Sequence, residues 1–126
     1  MAKYAEKFTE ETLAALFPAE RTDQFFEALF GDAEEGSYDI ALRYRDDDGE
    51  AIDFELELIQ RPGRCLACNL TYGLPTVFSR HPIIDLAGLA ERLAAVVGRA
   101  AGSWSVGATH EVNRTTHAIP LVIELA

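Results

Sequence analysis

The sequence predicts an α+β fold, in which an antiparallel sheet of about five strands carries helices packed on one face. Two pairs of segments alternate between apolar and polar residues, as half-buried strands do, and three other segments repeat apolar residues at helical spacing. The predicted order is helix, helix, three strands, helix and two strands. No internal repeat or linker divides the chain, so we treat residues 1–126 as a single globular domain.

Composition indicates an acidic protein with an ordinary core. Of 126 residues, 48% are hydrophobic and 25% charged, which suits a domain that folds without disulfides or a metal. The net charge of −10 repels phosphate backbones and anionic lipid, so we expect neither nucleic acid nor a membrane as a partner. Only two cysteines and no apolar signal segment at the N-terminus predict a cytoplasmic protein.

Two helices are predicted before the first strand. Thr9 is a suitable N-cap for a helix that reaches Phe17 and ends at Pro18. The second helix spans residues 19–30 and precedes Gly31, a residue type favoured just after a helix. Its apolar stripe indicates core packing rather than a cofactor site and consists of Phe25, Phe26, Leu29 and Phe30.

Strict alternation over residues 38–45 and 52–59 predicts two strands joined as a hairpin. Apolar matching and opposite charges agree on one register, which sets Tyr44 opposite Phe54, Arg43 opposite Glu55, and Arg45 opposite Asp53. The acidic turn at residues 46–50 lacks the remaining spacing of an EF-hand loop, so we interpret it as a turn and not as a calcium site.

A third strand is predicted over residues 64–72, and it contains both cysteines. Residues three apart on a strand point to opposite faces, with Cα atoms about 10 Å apart, beyond the reach of a disulfide. We therefore place Cys68 in the core and Cys65 on the outer face. If the segment is instead a turn or helix start, two alternatives remain: dithiol redox chemistry, or a zinc site that adds histidines such as His81.

Residues 73–82 are predicted to be irregular, because a residue that precedes a proline is biased away from the helical region. Asp85 then serves as the N-cap of a third helix, which continues to Val97 and is followed by Gly98. His81, beside Arg80 at the approach to this helix, is interpreted as an exposed loop histidine, with anion binding as the alternative.

A second hairpin closes the chain, with strands over residues 104–112 and 117–125. His110 and His117 fall on the same, largely apolar phase near its turn, and we interpret them as solvent-facing residues rather than metal ligands. Pro120 indicates that the last strand is an edge strand or is bulged at that point.

The outer face of the predicted sheet would be a solvated surface unless a partner covers it. We expect it to carry Arg43, Asp53, Glu55, Glu57, Cys65 and Asn69. The densest group of chemically specific residues lies in the segment 60–82, and its candidate binding residues are Arg61, Arg64, Asn69, Tyr72, Arg80 and His81.

Two segments of the chain, residues 8–32 and 60–82, resemble known sequences. The second segment includes the runs Gln-Arg-Pro-Gly-Arg-Cys-Leu-Ala-Cys-Asn-Leu-Thr-Tyr-Gly-Leu-Pro and Phe-Ser-Arg-His-Pro. The chain resembles, over nearly its whole length, a small family of uncharacterised bacterial proteins, some labelled "pancreas/duodenum homeobox protein". That label conflicts with the net charge of −10 and the lack of a basic recognition helix. The resemblance implies a small single domain and supplies no activity, cofactor or catalytic residue.

Two functions follow as hypotheses. The first is a non-enzymatic module that binds a protein or small molecule without a cofactor, because no nucleophile comes with a readable base and orienting group. The second is a zinc-binding or thiol-redox protein that uses Cys65, Cys68 and His81. A homodimer through an exposed sheet edge is left open by the sequence.

Overall fold

The computed structural model describes residues 4–18, 20–30, 38–63, 74–81 and 84–126, and for residues 26–30 and 74 the backbone alone. The predicted third strand, the segment after the second helix, and both cysteines lie outside these residues. Within them the fold is α+β, with a five-stranded antiparallel sheet, as the sequence predicted.

The helices and strands follow in a simple order, after one short 3-10 turn at Ala5–Lys7. They are α1 (Glu10–Leu16), α2 (Glu20–Phe30), β1 (Tyr38–Asp47), β2 (Ala51–Gln60), α3 (Leu74–Arg80), α4 (Leu86–Val96), β3 (Ala101–Val106), β4 (His110–Asn113) and β5 (Thr116–Leu125). None of the helices in the described part of the chain is long and apolar enough to span a bilayer.

The last strand lies in the middle of the sheet. The strand order is β1-β2-β5-β3, and β4 pairs with β5 on the same side as β3. One edge of the sheet is therefore β1, and the other is formed by β3 and β4, one after the other. All the pairings are antiparallel.

One face of the sheet forms the core with the helices. Alternate residues of the central strands point to that face, where their side chains form the hydrophobic core. The strand residues buried there include Ile40, Leu42, Ile52, Phe54, Leu56, Leu58, Ile119, Leu121 and Ile123. The helices contribute Leu13, Phe25, Phe78, Leu86, Leu89 and Leu93. The opposite face carries most of the charged residues of the strands.

The first hairpin confirms most of the predicted register. Tyr44 lies opposite Phe54, and Arg43 lies opposite Glu55. The third predicted pair, Arg45 with Asp53, is wrong, because the register shifts between Tyr44 and Asp46. Because of this bulge, no residue of β2 lies directly opposite Arg45, and its side chain lies on the outer face of the sheet.

Side-chain caps begin two helices where the sequence predicted them. The Thr9 hydroxyl accepts a hydrogen bond from the backbone N–H of Thr12 at 3.2 Å, and a carboxylate oxygen of Asp85 accepts one from the N–H of Gly88, also at 3.2 Å. Both bonds satisfy a first-turn N–H that has no partner within its helix.

The segment predicted to be irregular is instead the helix α3. The prediction was wrong because Pro75 is the second residue of the helix, where its missing N–H would have had no intrahelical acceptor. Phe78, fully buried, projects from α3 and meets Phe25 of α2 edge to face, with the ring centroids 5.4 Å apart. The helix is therefore fixed by its contact with α2.

The predicted strand over residues 104–112 is divided into β3 and β4 by residues 107–109. The division is caused by Pro120 of β5, which lies between the residues of β5 that pair with β3 and those that pair with β4, and which has no N–H to donate. The N–H of Gly107 still donates to the carbonyl of Pro120 at 2.9 Å. A Cβ at Gly107 would lie 3.2 Å from the proline ring, so the close approach favours glycine.

The contact between α3 and α2 predicts a large effect of truncating Phe78. Replacing Phe78 with Ala removes a fully buried ring, so we expect the free energy of unfolding to fall by about 3 to 5 kcal/mol. The neighbouring Val77 is 38% exposed, and Val77→Ala should change the free energy of unfolding by less than about 0.5 kcal/mol. Equal midpoints for the two variants in urea unfolding would show that α3 does not pack as described.

Candidate functional site

Of the six residues that the sequence grouped as a binding site, the structure describes three. Arg64, Asn69 and Tyr72 lie outside the described residues, as do Cys65 and Cys68. Arg61, Arg80 and His81 are described, and each has a different environment.

Arg61 joins the second helix to the edge of the sheet. One guanidinium nitrogen donates to Asp23 of α2 at 2.8 Å and to Asp39 of β1 at 2.9 Å, and Nε donates to Asp39 at 3.1 Å. The side chain is only 19% exposed. Burial alone would lower the pKa of Arg61, but the hydrogen bonds to Asp39 and Asp23 outweigh it and raise the pKa. Arg61 is thus engaged in holding α2 to β1.

His81 lies at the junction of α3 and α4. Its ring packs against Phe25 at a centroid distance of 4.8 Å, nearly edge to face. The backbone N–H of His81 donates to the carbonyl of Val77, and the carbonyl of His81 accepts from the backbone N–H of Asp85, both at 2.9 Å. The expectation of an exposed loop histidine is therefore wrong, since the ring is half-buried against α2. Arg80, at the end of α3, is exposed.

The acidic turn between β1 and β2 uses its own carboxylates to hold its backbone. Asp48 accepts hydrogen bonds from the N–H groups of Glu50 and Ala51 at 2.9 and 2.8 Å. The buried Asp47 accepts from the N–H groups of Tyr4 and Gly49 and from the hydroxyl of Tyr44 at 2.5 Å. These bonds give the carboxylates a structural purpose that needs no ion.

Five charged or ionisable side chains converge on the face of the sheet opposite the helices. We call them the outer-face cluster: Arg43 and Arg45 of β1, Glu55 and Glu57 of β2, and His110 of β4. Glu55 is at the centre, with one carboxylate oxygen 3.5 Å from Arg45 Nη1 and the other 3.4 Å from His110 Nε2. Arg43 Nε donates to Glu57 at 2.8 Å.

Local geometry explains how three strands bring this cluster together. Glu55 lies opposite Arg43 on one side and Pro120 on the other, in the middle of the sheet. The bulge after Tyr44 redirects Arg45 toward Glu55. His110 lies opposite Ala118, whose side chain points outward, and this brings its imidazole to the same face.

The two histidines of the last hairpin lie on opposite faces, contrary to the prediction. The break at residues 107–109 changes the phase of β4, so His110 faces outward. His117 lies opposite Leu58 on the core face and is only 5% exposed, which also corrects its predicted solvent-facing position. The pair cannot act together as ligands or a proton relay across the sheet.

The outer-face cluster holds one carboxylate in a largely dehydrated position. The side chain of Glu55 is 11% exposed, whereas the side chains of Arg45, His110 and Arg43 are 62%, 48% and 41% exposed. A buried carboxylate is tolerated only when it is paired, and here the Arg45 guanidinium approaches one oxygen and the His110 imidazole the other. Arg43 Nη1 also lies 3.9 Å from a carboxylate oxygen of Glu10, and because both arginine side chains are partly exposed, the cluster presents hydrogen-bond donors to solvent.

Among the described residues, no group of three or more histidine, cysteine or acidic side chains could hold a metal ion. The alternative of a zinc or redox site depends on Cys65 and Cys68, which lie outside the described residues. Comparison with protein-family models, curated proteins and solved structures gave no match. Function must therefore be inferred from the chemistry of the residues themselves.

The ion pairs of Arg61 predict a structural effect for a residue that the sequence suggested as a ligand contact. Arg61→Met leaves Asp23 and Asp39 without their cation, and we expect the free energy of unfolding to fall by about 1 to 2 kcal/mol. Arg80→Met, at an exposed position, should change it by less than about 0.5 kcal/mol. A loss at Arg80 equal to that at Arg61, measured by urea unfolding, would contradict this assignment.

The Tyr44–Asp47 hydrogen bond predicts a specific alkaline behaviour. Burial raises the pKa of Tyr44 above its ordinary value of 10.0, and the hydrogen bond and negative charge of Asp47 raise it further. Folding therefore favours the protonated phenol, and this contribution is present at neutral pH and lost as pH rises above about 10. The stability advantage over Tyr44→Phe should shrink by about 1.4 kcal/mol per pH unit above that point. An advantage that is unchanged between neutral pH and pH 11, in denaturant unfolding, would refute it.

Proposed function

We propose that this protein is a non-enzymatic binding module whose recognition surface is the outer-face cluster. The observation that carries the proposal is the position of Glu55, a carboxylate that is nearly buried on the face of the sheet opposite the core. Core packing does not require a charge there, and removing a carboxylate from water is unfavourable unless it is paired. Its role is to fix the arginine and histidine side chains around it.

A fixed cluster lowers the cost of association. Arginine side chains lose considerable rotamer freedom when they are ordered at an interface. Here Arg43 is already held by Glu57, and Arg45 by Glu55. A partner then meets oriented donors and does not have to order them, which favours the formation of directional, charge-assisted hydrogen bonds.

The chemistry of the cluster favours a protein partner with a mixed polar surface. The partly exposed guanidinium groups of Arg43 and Arg45 would bind carboxylates or backbone carbonyls, while the exposed Asp53 beside them would accept hydrogen bonds from donors of the partner. Polyanions such as nucleic acid fit poorly, because the whole chain carries a net charge of −10.

Site-specific photo-crosslinking in native lysate tests the proposal. A crosslinker replaces Asp53, which is exposed next to the cluster, and in a control protein it replaces Glu91, exposed on α4. We expect a discrete partner to be captured from position 53 and not from position 91. Adding Arg45→Glu to the first protein should reduce capture about tenfold or more, because it reverses a charge that meets the partner.

Equal capture from both positions, or capture that is insensitive to Arg45→Glu in a variant with unchanged circular dichroism, would contradict the proposal. The cysteine alternative gives a separate result. Protein purified without tag or chelator would then contain about one zinc per chain and have both thiols protected. That outcome would move the site to Cys65 and Cys68.

A further inference from the structure

In the described part of the chain, the edge of the sheet formed by β3 has neither the charges nor the prolines that usually prevent strands from pairing with other molecules. The N–H of Gly107 points to β5, so alternation directs the backbone groups of Ser105 inward to β5 as well. The backbone groups of Trp104 and Val106 consequently point to the outer edge. In the part of the chain that the structure describes, no strand pairs with that edge.

The other edge strands are protected. On β1, the Thr22 hydroxyl of α2 accepts from the N–H of Ile40 at 3.1 Å and so covers its edge. The four residues of β4 include His110 and Glu111, which are exposed and polar. In contrast, residues 100–109 contain no charged residue and no proline. Charges and prolines are the usual means by which edges avoid pairing.

The same edge also carries an apolar border. Ala101, Trp104 and Val106 of β3 and Leu125 of β5 pack against the core but are only partly buried. On the opposite side of β3, Ser103 and Ser105 are small and exposed. A strand added at this edge would therefore continue both the apolar face and the polar face of the sheet.

We infer that β3 pairs with β3 of a second copy of this chain, forming a homodimer with one continuous sheet. Two-fold symmetry makes such a pairing antiparallel, and centring it on Trp104 lets each Trp104 exchange both backbone hydrogen bonds with its counterpart. The apolar borders of the two copies then meet beside the axis.

The charge distribution identifies a second copy as the occupant. Two chains of net charge −10 repel each other over most of their surface, and the uncharged segment 100–109 is where this repulsion is weakest. A basic peptide would instead require acidic residues along the strand, and β3 has none. A six-residue strand gives contact about 20 Å long, so the apolar borders must supply part of the roughly 800 Å² per partner of a standard interface.

Sedimentation equilibrium tests the inference, and it uses the full chain. We expect wild-type protein to show twice the chain mass of 13.9 kDa at micromolar concentration. Val106→Pro removes an N–H that faces the second copy without removing a bond to β5, and Val106→Lys adds a charge at the same place. Each should raise the dimer dissociation constant about tenfold or more. Val112→Lys, on the exposed β4, is the matched control and should leave it unchanged.

Trp104 is the only tryptophan, so its emission reports directly on the edge. Dilution of wild-type protein should shift the emission to longer wavelength as the dimer separates, and the Val106→Lys variant should show the shifted emission at concentrations where the wild-type protein is still a dimer. Wild-type protein that stays monomeric up to about 100 μM, or a dimer disrupted by Val112→Lys and not by either Val106 variant, would overturn the inference. The outer-face cluster is untouched by these variants, so the result is independent of the proposed function.

Discussion

The pairing of β2 with β5 is the constraint on which the rest of the structure depends. Its register sets Phe54 opposite Leu121 and Leu56 opposite Ile119, and so closes the core. The same register places Glu55 opposite Pro120 on the other face. Because side chains alternate along a strand, a slip of one residue would exchange the two faces, burying the acidic residues and exposing the apolar ones. One ladder therefore determines both the hydrophobic core and the charged surface.

Features that depend on neighbouring residues could be predicted from the sequence. The caps at Thr9 and Asp85 are bonds between a side chain and the backbone three residues later, and a sequence motif shows both ends of such a bond. The pairing of Tyr44 with Phe54 could be predicted because charge and hydrophobicity patterns agreed across a short turn. The α+β class follows from these local patterns, since each predicted strand has one apolar face and needs a layer to cover it.

Features that depend on distant residues could not be predicted in the same way. The division of a strand into β3 and β4 is caused by Pro120, which lies on another strand. That division also determines which face His110 occupies, and so the composition of the outer-face cluster. Arg61 resembled a ligand-binding residue in a turn, because its partners Asp23 and Asp39 are far away in sequence. Local sequence shows the chemical capacity of a side chain, whereas the tertiary fold determines what uses that capacity.

The central position of β5 has a consequence for biosynthesis. The hairpin of β1 and β2 leaves the ribosome first, and it exposes the second edge of β2 together with an apolar face. That edge acquires its partner only after residues 116–125 have been made. Pairings between segments far apart in sequence form late, since closing the intervening loop is entropically unfavourable. The nascent chain therefore passes through a stage in which the apolar face and the second edge of β2 are open to chaperones and to aggregation.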